Sequence, residues 1–295
     1  MSAGAVTAGT VDARGGARRL RRRIMSGIMT GVVCALCFVA VLALFLILGD
    51  LIRKGASSLD WNFFVKNPAP AGQAGGGVAN AIVGTAIIVG LASAIGLPIG
   101  IGTGLYLAEF GSGRFGWIVR FVADVMNGTP SIVVGIFAWT WLVKPMGHFS
   151  ALAGGVSLAV LMIPMIARTS EEMIRLVPHS LREAALALGY PRWRTSLHVV
   201  VRTALAGIVT GALVGVARIA GETAPLLFTA LGNLNFSTNV MQPMQALSLQ
   251  IFTYATGPFE DWHRMAWAAA LVLMGLVLVL ALSARWAIRQ YRAGP

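Results

Sequence analysis

Apolar residues gather into six long runs, at about residues 25–50, 80–108, 118–143, 151–168, 203–222 and 265–287, separated by shorter polar stretches. Each run is near the 20 residues that a helix needs to cross a bilayer core of about 30 Å. The pattern therefore predicts an all-α integral membrane protein with six transmembrane helices. A membrane domain would occupy residues 24–292, with residues 1–23 ahead of it as a disordered basic tail. That tail is rich in Gly, Ala, Thr and Arg and ends in the cluster Arg18–Arg23, RRLRRR. A basic stretch before an apolar run can mark a signal peptide, but the run from Ile24 is too long and lacks a small-residue cleavage site, so it is read as an uncleaved first span. The outer stretch 232–261 is too polar to cross. Within it, Pro243–Tyr254 is expected to form a short amphipathic or re-entrant helix at the outer surface.

Composition agrees, since 57% of the 295 residues are hydrophobic and only 12% are charged, far from a soluble domain. The formal charge of +12 would suggest nucleic acid if the basic residues formed one patch, but their positions follow the membrane instead. With the N-terminus inside, 17 of the 23 Lys and Arg residues fall on the cytoplasmic side, only Arg53, Lys54, Lys66, Lys144 and Arg264 fall outside, and Arg218 lies within a span. Both termini are then cytoplasmic, and residues 169–202 form a cytoplasmic loop. Trp117 and Trp141, like Trp262 and Trp286, flank spans at a separation of about 36 Å along a straight helix, an interface-to-interface distance.

Local features refine single spans. The second carries Gly84, Gly90, Gly96, Gly100, Gly102 and Gly104, which favours close helix packing. In the third, Pro130 stands between the hydroxyls of Thr129 and Ser131 in NGTPSIVVG, predicting a kink. Cys34 and Cys37 lie within the first apolar run and are read as core thiols.

The loop contains SLREAALALG, Ser180–Gly189. Ser180 and Glu183 have capping-box spacing, Gly189 allows a left-handed stop and Pro191 prevents continuation, which defines a helix of about two turns. Leu181, Ala184, Ala185 and Leu188 repeat at i, i+3, i+4 and i+7, giving one apolar face of small residues. So short a helix needs a partner to hold it. Nothing in the chain supplies chemistry of its own, because none of its three lysines follows a phosphate loop and its four histidines have no metal-ligand spacing. The expectation is a chain that is not an enzyme, with no bound cofactor.

Arg218 is about 24 Å along the fifth span from Arg202, where a charge must face a partner or water. Glu222 follows four residues later, so the two can pair as a desolvated salt bridge. Arg218 then attracts an anion, or the pair switches partners as a gate, or it is a static clasp between helices.

EAALALG, beginning at Glu183, resembles the EAA signature of ATP-binding-cassette importer permeases, with Arg202 standing where that family has proline. LYLAEF (Leu105–Phe110), GTPSIVVGIFAW (Gly128–Trp139), RTSEEMIRLVPHSLREAALALG (Arg168–Gly189), ARIAGETAPLLFTALGN (Ala217–Asn233) and MQALSLQIFTYA (Met244–Ala255) resemble the phosphate-specific permeases of the PstA type. The resemblance implies the type I importer permease fold in the plasma (inner) membrane of a bacterium or archaeon. It implies a second permease of the PstC type as heterodimer partner, two copies of a cytoplasmic ATPase that uses ATP, an extracytoplasmic phosphate-binding protein, and inorganic phosphate as substrate. Arg218 and Glu222, with Thr129 and Ser131, would line the translocation path. Leu181, Glu183, Ala184, Ala185, Leu188 and Gly189 would dock on the ATPase. The rivals are a permease for another oxyanion such as sulfate or molybdate, and an anion transporter that works without ATP.

Overall fold

A computed structural model describes residues 8–70, 73 and 75–292 of the chain. Every extended element among them is helical, because the apolar runs must satisfy their backbone polar groups internally. The chain divides after Arg53 into two units.

The first unit is most of helix α1, Ala8–Gly55. Helix starts at Ala8, so most of the expected disordered tail has regular structure, and residues 1–7 lie outside the described residues. Alanine, leucine and arginine are good helix formers, and extending an existing helix adds one hydrogen bond per residue without a new nucleation cost. Residues 21–47 are all exposed. Cys34 and Cys37 are free and exposed, so the reading of them as core thiols is corrected. Apolar surroundings in this helix are left to lipid or to another chain.

The second unit begins with α2, Trp61–Val65, capped by Asp60, which accepts from the Phe63 N–H at 2.8 Å. Then come α3 (Ala79–Glu109), α4 (Arg114–Asn127), α5 (Ser131–Ala138) and α6 (Lys144–Met146), the last two joined by one wide turn, Trp139–Val143. Helix α7 spans Ala151–Arg175, and α8 (His179–Ala187) and α9 (Arg192–Thr195) follow it. Another wide turn, Ser196–Val200, leads into α10, Val201–Ala220. Helices α11 (Ala224–Thr229), α12 (Leu247–Ala255) and α13 (Glu260–Arg292) complete the order.

Five of these helical runs are long and apolar enough to cross a membrane, and six if α4 and the run Ser131–Met146 count as one bent span. The third span is thus more than kinked. Its halves meet at 103°, because Pro130 removes a backbone donor and holds an extended ψ of 133° just before Ser131. The bend also removes the straight rod on which the Trp117–Trp141 spacing was based.

Helices α3 and α7 form the central pair, along a stripe of glycines spaced by four. A Cβ on Gly96, Gly100 or Gly104 would come within 3.0 Å of Met162 Sδ, 2.7 Å of the Ile166 Cβ and 2.6 Å of the Ala167 carbonyl, respectively. Backbones that approach so closely gain dispersion contacts that lipid cannot offer. Gly90 and Gly102 face open space, so only part of the glycine set packs. Around the stripe, Ile88, Leu158, Met162 and Ile166 form the core with Leu226, Met244 and Leu249.

Met244 and Leu249 belong to the polar stretch 232–261, whose helix enters the core, the re-entrant and not the surface amphipathic alternative. Leu247, Leu249 and Gln250 are buried. The N–H of Leu247 donates to the Thr85 hydroxyl at 2.8 Å, Asn80 donates to the Asn233 carbonyl at 2.7 Å, and Gly84 leaves room for the Gln245 carbonyl. Small and polar residues on α3 therefore let α12 enter as a re-entrant element.

Candidate functional site

Three consequences of this fold meet at one cavity of about 210 Å³. It is lined by Thr129, Pro130 and Ser131 at the break of the third span, by Leu161 and Met165 of α7, and by Arg218 and Glu222 at the end of α10. At about 30 Å³ per water that is room for roughly seven waters, enough for a small oxyanion with part of its hydration. Arg218 occupies the last turn of α10, where the helix dipole favours a cation. The Thr129 hydroxyl donates back to the Val125 carbonyl at 2.9 Å. Ser131 is the first residue of α5, so its N–H has no intrahelical acceptor.

Arg218 and Glu222 do pair, but loosely and without the expected desolvation. Arg218 Nε stands 3.9 Å from Glu222 Oε1, its Nη1 lies 3.6 Å from Met165 Sδ, and its side chain is 62% exposed. The cause is local. Helix α10 stops at Ala220, and Gly221 closes it with its N–H on the Arg218 carbonyl, so Glu222 has left the helical spacing. Its backbone carbonyl instead accepts the Ser248 hydroxyl of α12 at 3.0 Å. A guanidinium held by one long ion pair and a thioether retains free donors toward the cavity.

On the side of the loop 169–202, α8 corrects the capping-box reading. The helix starts at His179 after Pro178, with no side-chain cap. Proline at this position sets the entry and displaces Ser180 from the capping place. Gly189 does take the left-handed conformation, with φ of +82°. Of the predicted docking residues, Leu181, Glu183, Ala184 and Leu188 are exposed and Ala185 is buried. Leu188 is 79% exposed, and Leu176 and Trp193 of the same loop region are exposed as well. Arg202 makes no turn into the fifth span, because Arg192–Ala220 is one continuous helical run.

Sequence reasoning missed a charged cluster between α4 and α7. Glu171 is 2% exposed and holds three arginines, with Arg120 at 2.6 Å, Arg175 at 2.7 Å and Arg168 at 3.2 Å. Arg168 also grips Asp124 through two bonds of 2.8 and 2.9 Å, and Arg120 caps the Leu107 and Gly111 carbonyls. These arginines had counted only as topological charges. Arg168, Glu171 and Arg175 stand at i, i+3 and i+7 on one helix, a spacing that signals such pairing.

Comparisons with known proteins fit this geometry. The family described as binding-protein-dependent transport system inner membrane component matches residues 96–293. A phosphate transport system permease protein PstA of Xylella fastidiosa is 44% identical over 267 residues, covering 90% of this chain and 93% of that one. The PstA of Yersinia pestis is 45% identical over 242 residues, covering 81% of each. Among solved structures, the MetNI methionine ABC transporter in inward-facing conformations includes a chain with a TM-score of 0.62 at 19% identity, covering 72% of this chain and 95% of that chain, which is a likeness of fold. The chain therefore belongs to the binding-protein-dependent transport system inner membrane components, and within them to the permeases of the PstA type.

Proposed function

We propose that this chain is the membrane-spanning permease subunit of an ATP-driven importer of inorganic phosphate. The observation that carries the proposal is the cavity at the end of α10, where an under-paired guanidinium faces two hydroxyl-bearing residues and the start of a half-helix. Arginine matches the oxygens of a tetrahedral anion with two parallel donors, and a helix N-terminus adds further N–H donors for such an ion. The relatives, phosphate transport permeases that match nine-tenths of the chain, favour phosphate among oxyanions.

In this reading the chain forms half of the pathway, and a second permease of the PstC type forms the other half. Two copies of a cytoplasmic ATPase bind and hydrolyse ATP, since this chain has no phosphate loop of its own, and an extracytoplasmic binding protein delivers phosphate. Both termini and the loop 169–202 then face the cytoplasm of a bacterial or archaeal cell, with the chain in its inner membrane. The exposed apolar face of α8, Leu181, Ala184 and Leu188, lies in a groove of the ATPase, with Glu183 at its edge. Closure of the ATPases on ATP moves the membrane helices as rigid bodies between inward- and outward-facing states.

The test is accumulation of labelled anion in vesicles that hold the assembled complex, with ATP on the ATPase side and a binding protein on the other. Phosphate with its own binding protein is expected to accumulate and to stimulate ATP hydrolysis, whereas sulfate or molybdate with theirs is not. Accumulation of sulfate or molybdate instead would reassign the substrate, and accumulation without ATP would replace the importer with a passive transporter.

A further inference from the structure

Resting on the reading of α8 as the element that meets the ATPase, we infer that Glu109 and Arg182 are the positioning residues that tie α8 to the pathway helices. Arg182 belongs to α8, but it turns inward, away from the exposed face of Leu181, Ala184 and Leu188. Its Nε and Nη2 donate to Glu109 Oε1 at 3.0 and 2.9 Å. The same guanidinium donates to the carbonyls of Ile174 at 3.0 Å and Val177 at 2.5 Å, so it also ties α8 to the end of α7. Glu109 is the last residue of α3. Its other oxygen, Oε2, lies 3.1 Å from the Ser196 hydroxyl, which is equally near the Arg192 carbonyl. Ser196 opens the wide turn that leads into α10.

One carboxylate thus stands between α8, the end of α3 and the base of the helix that carries Arg218. The Arg182 and Glu109 side chains are only 15% and 12% exposed, which separates this pair from ordinary surface ion pairs, where water screens both partners. Burial also makes it directional, because a planar group makes four hydrogen bonds to fixed acceptors. Beyond Glu109, α3 runs along the glycine stripe against α7, whose Leu161 and Met165 line the cavity. A displacement of α8 is then shared by α3 and by the base of α10, and is not absorbed in a loose loop. Side chains that only filled space would need no charge here, and charge is what can be exchanged in an experiment.

The variants are Glu109→Gln, the exchange Glu109→Arg with Arg182→Glu, and Ser196→Ala, each in the complete complex. Phosphate uptake and ATP hydrolysis are measured together, with assembled complex and thermal unfolding followed in parallel. Glu109→Gln is expected to lower phosphate moved per ATP by about tenfold, within the range of coupling between distant sites, and the exchange to restore much of it. Ser196→Ala, which removes a single bond, is expected to lower the ratio about two- to threefold and carries the test should Glu109→Gln fail to assemble. An unchanged ratio in either single variant, or no recovery in the exchange, would overturn the inference, since a merely structural pair would change the amount of complex and leave the ratio alone. A wild-type complex that shows no ATP-coupled uptake would instead remove the importer reading on which this rests.

Discussion

Replacing Arg218 with Gln is expected to abolish ATP-driven phosphate uptake while the chain still assembles. The fold depends little on this side chain, which is 62% exposed and has only a 3.9 Å ion pair and a 3.6 Å sulfur contact. Substitutions at such positions usually change stability by no more than about 0.5 kcal/mol. The anion, in contrast, loses two charge-assisted hydrogen bonds worth about 1.5–3 kcal/mol each. Their sum of roughly 3–6 kcal/mol corresponds to about 10²–10⁴-fold at 1.4 kcal/mol per decade. Arg218→Lys is expected to fall between, because it keeps the charge and gives up the planar fork. Uptake of labelled phosphate, normalised to assembled complex, measures both. If Arg218→Gln transports normally, the residue is a brace at the end of α10 and the pathway runs elsewhere.

The second large effect is expected from Glu183→Lys, which should leave the complex's membrane chains folded while disconnecting them from the ATPase. The sequence suggested that Glu183 caps its own helix, and on that ground a charge reversal would unravel α8. The structure removes that route, because Pro178 sets the helix start and Glu183 is exposed with no side-chain bond. Reversing an exposed charge costs a helix only a few tenths of a kcal/mol. At a docked surface it places a cation against whatever cationic groups receive Glu183, and like charges across an interface cost several kcal/mol. Phosphate-dependent ATP hydrolysis and uptake are expected to fall together by at least about tenfold, with thermal unfolding of the permease unchanged. Normal coupling in this variant would show that the ATPase does not meet this face.

Much of this arrangement was legible in the chain because membrane physics leaves few choices. Twenty-residue apolar runs read directly as spans, and of the face predicted from Leu181, Ala184, Ala185 and Leu188 all but Ala185 are exposed. Three things were not legible. The 103° break at Gly128–Pro130 looks like an ordinary proline kink in sequence, since the depth of a bend is set by what packs into it. The entry of α12 into the core depends on α3, about 160 positions away, where Thr85 accepts the Leu247 N–H, Gly84 leaves room for the Gln245 carbonyl and Asn80 donates to the Asn233 carbonyl. The Arg218–Glu222 spacing promised a desolvated salt bridge, but it assumed a helix that Gly221 brings to an end, and the pair is left at 3.9 Å with Arg218 62% exposed. Long-range ion pairs were hidden for the same reason. Arg168, Glu171 and Arg175 announce themselves by spacing, whereas Glu109 and Arg182 are 73 residues apart and nothing local connects them.

Ser131 offers the most direct check on the cavity as the route of the anion. The measurement is reaction of Ser131→Cys, with Cys34 and Cys37 replaced by Ala, with a negatively charged thiol reagent in the assembled and cycling complex. Reaction during ATP hydrolysis, slowed by phosphate and followed by loss of uptake, is the predicted result. A cysteine that stays unreactive throughout the cycle, or one that reacts at a rate indifferent to phosphate and leaves uptake intact, would contradict the placement of the pathway beside Arg218.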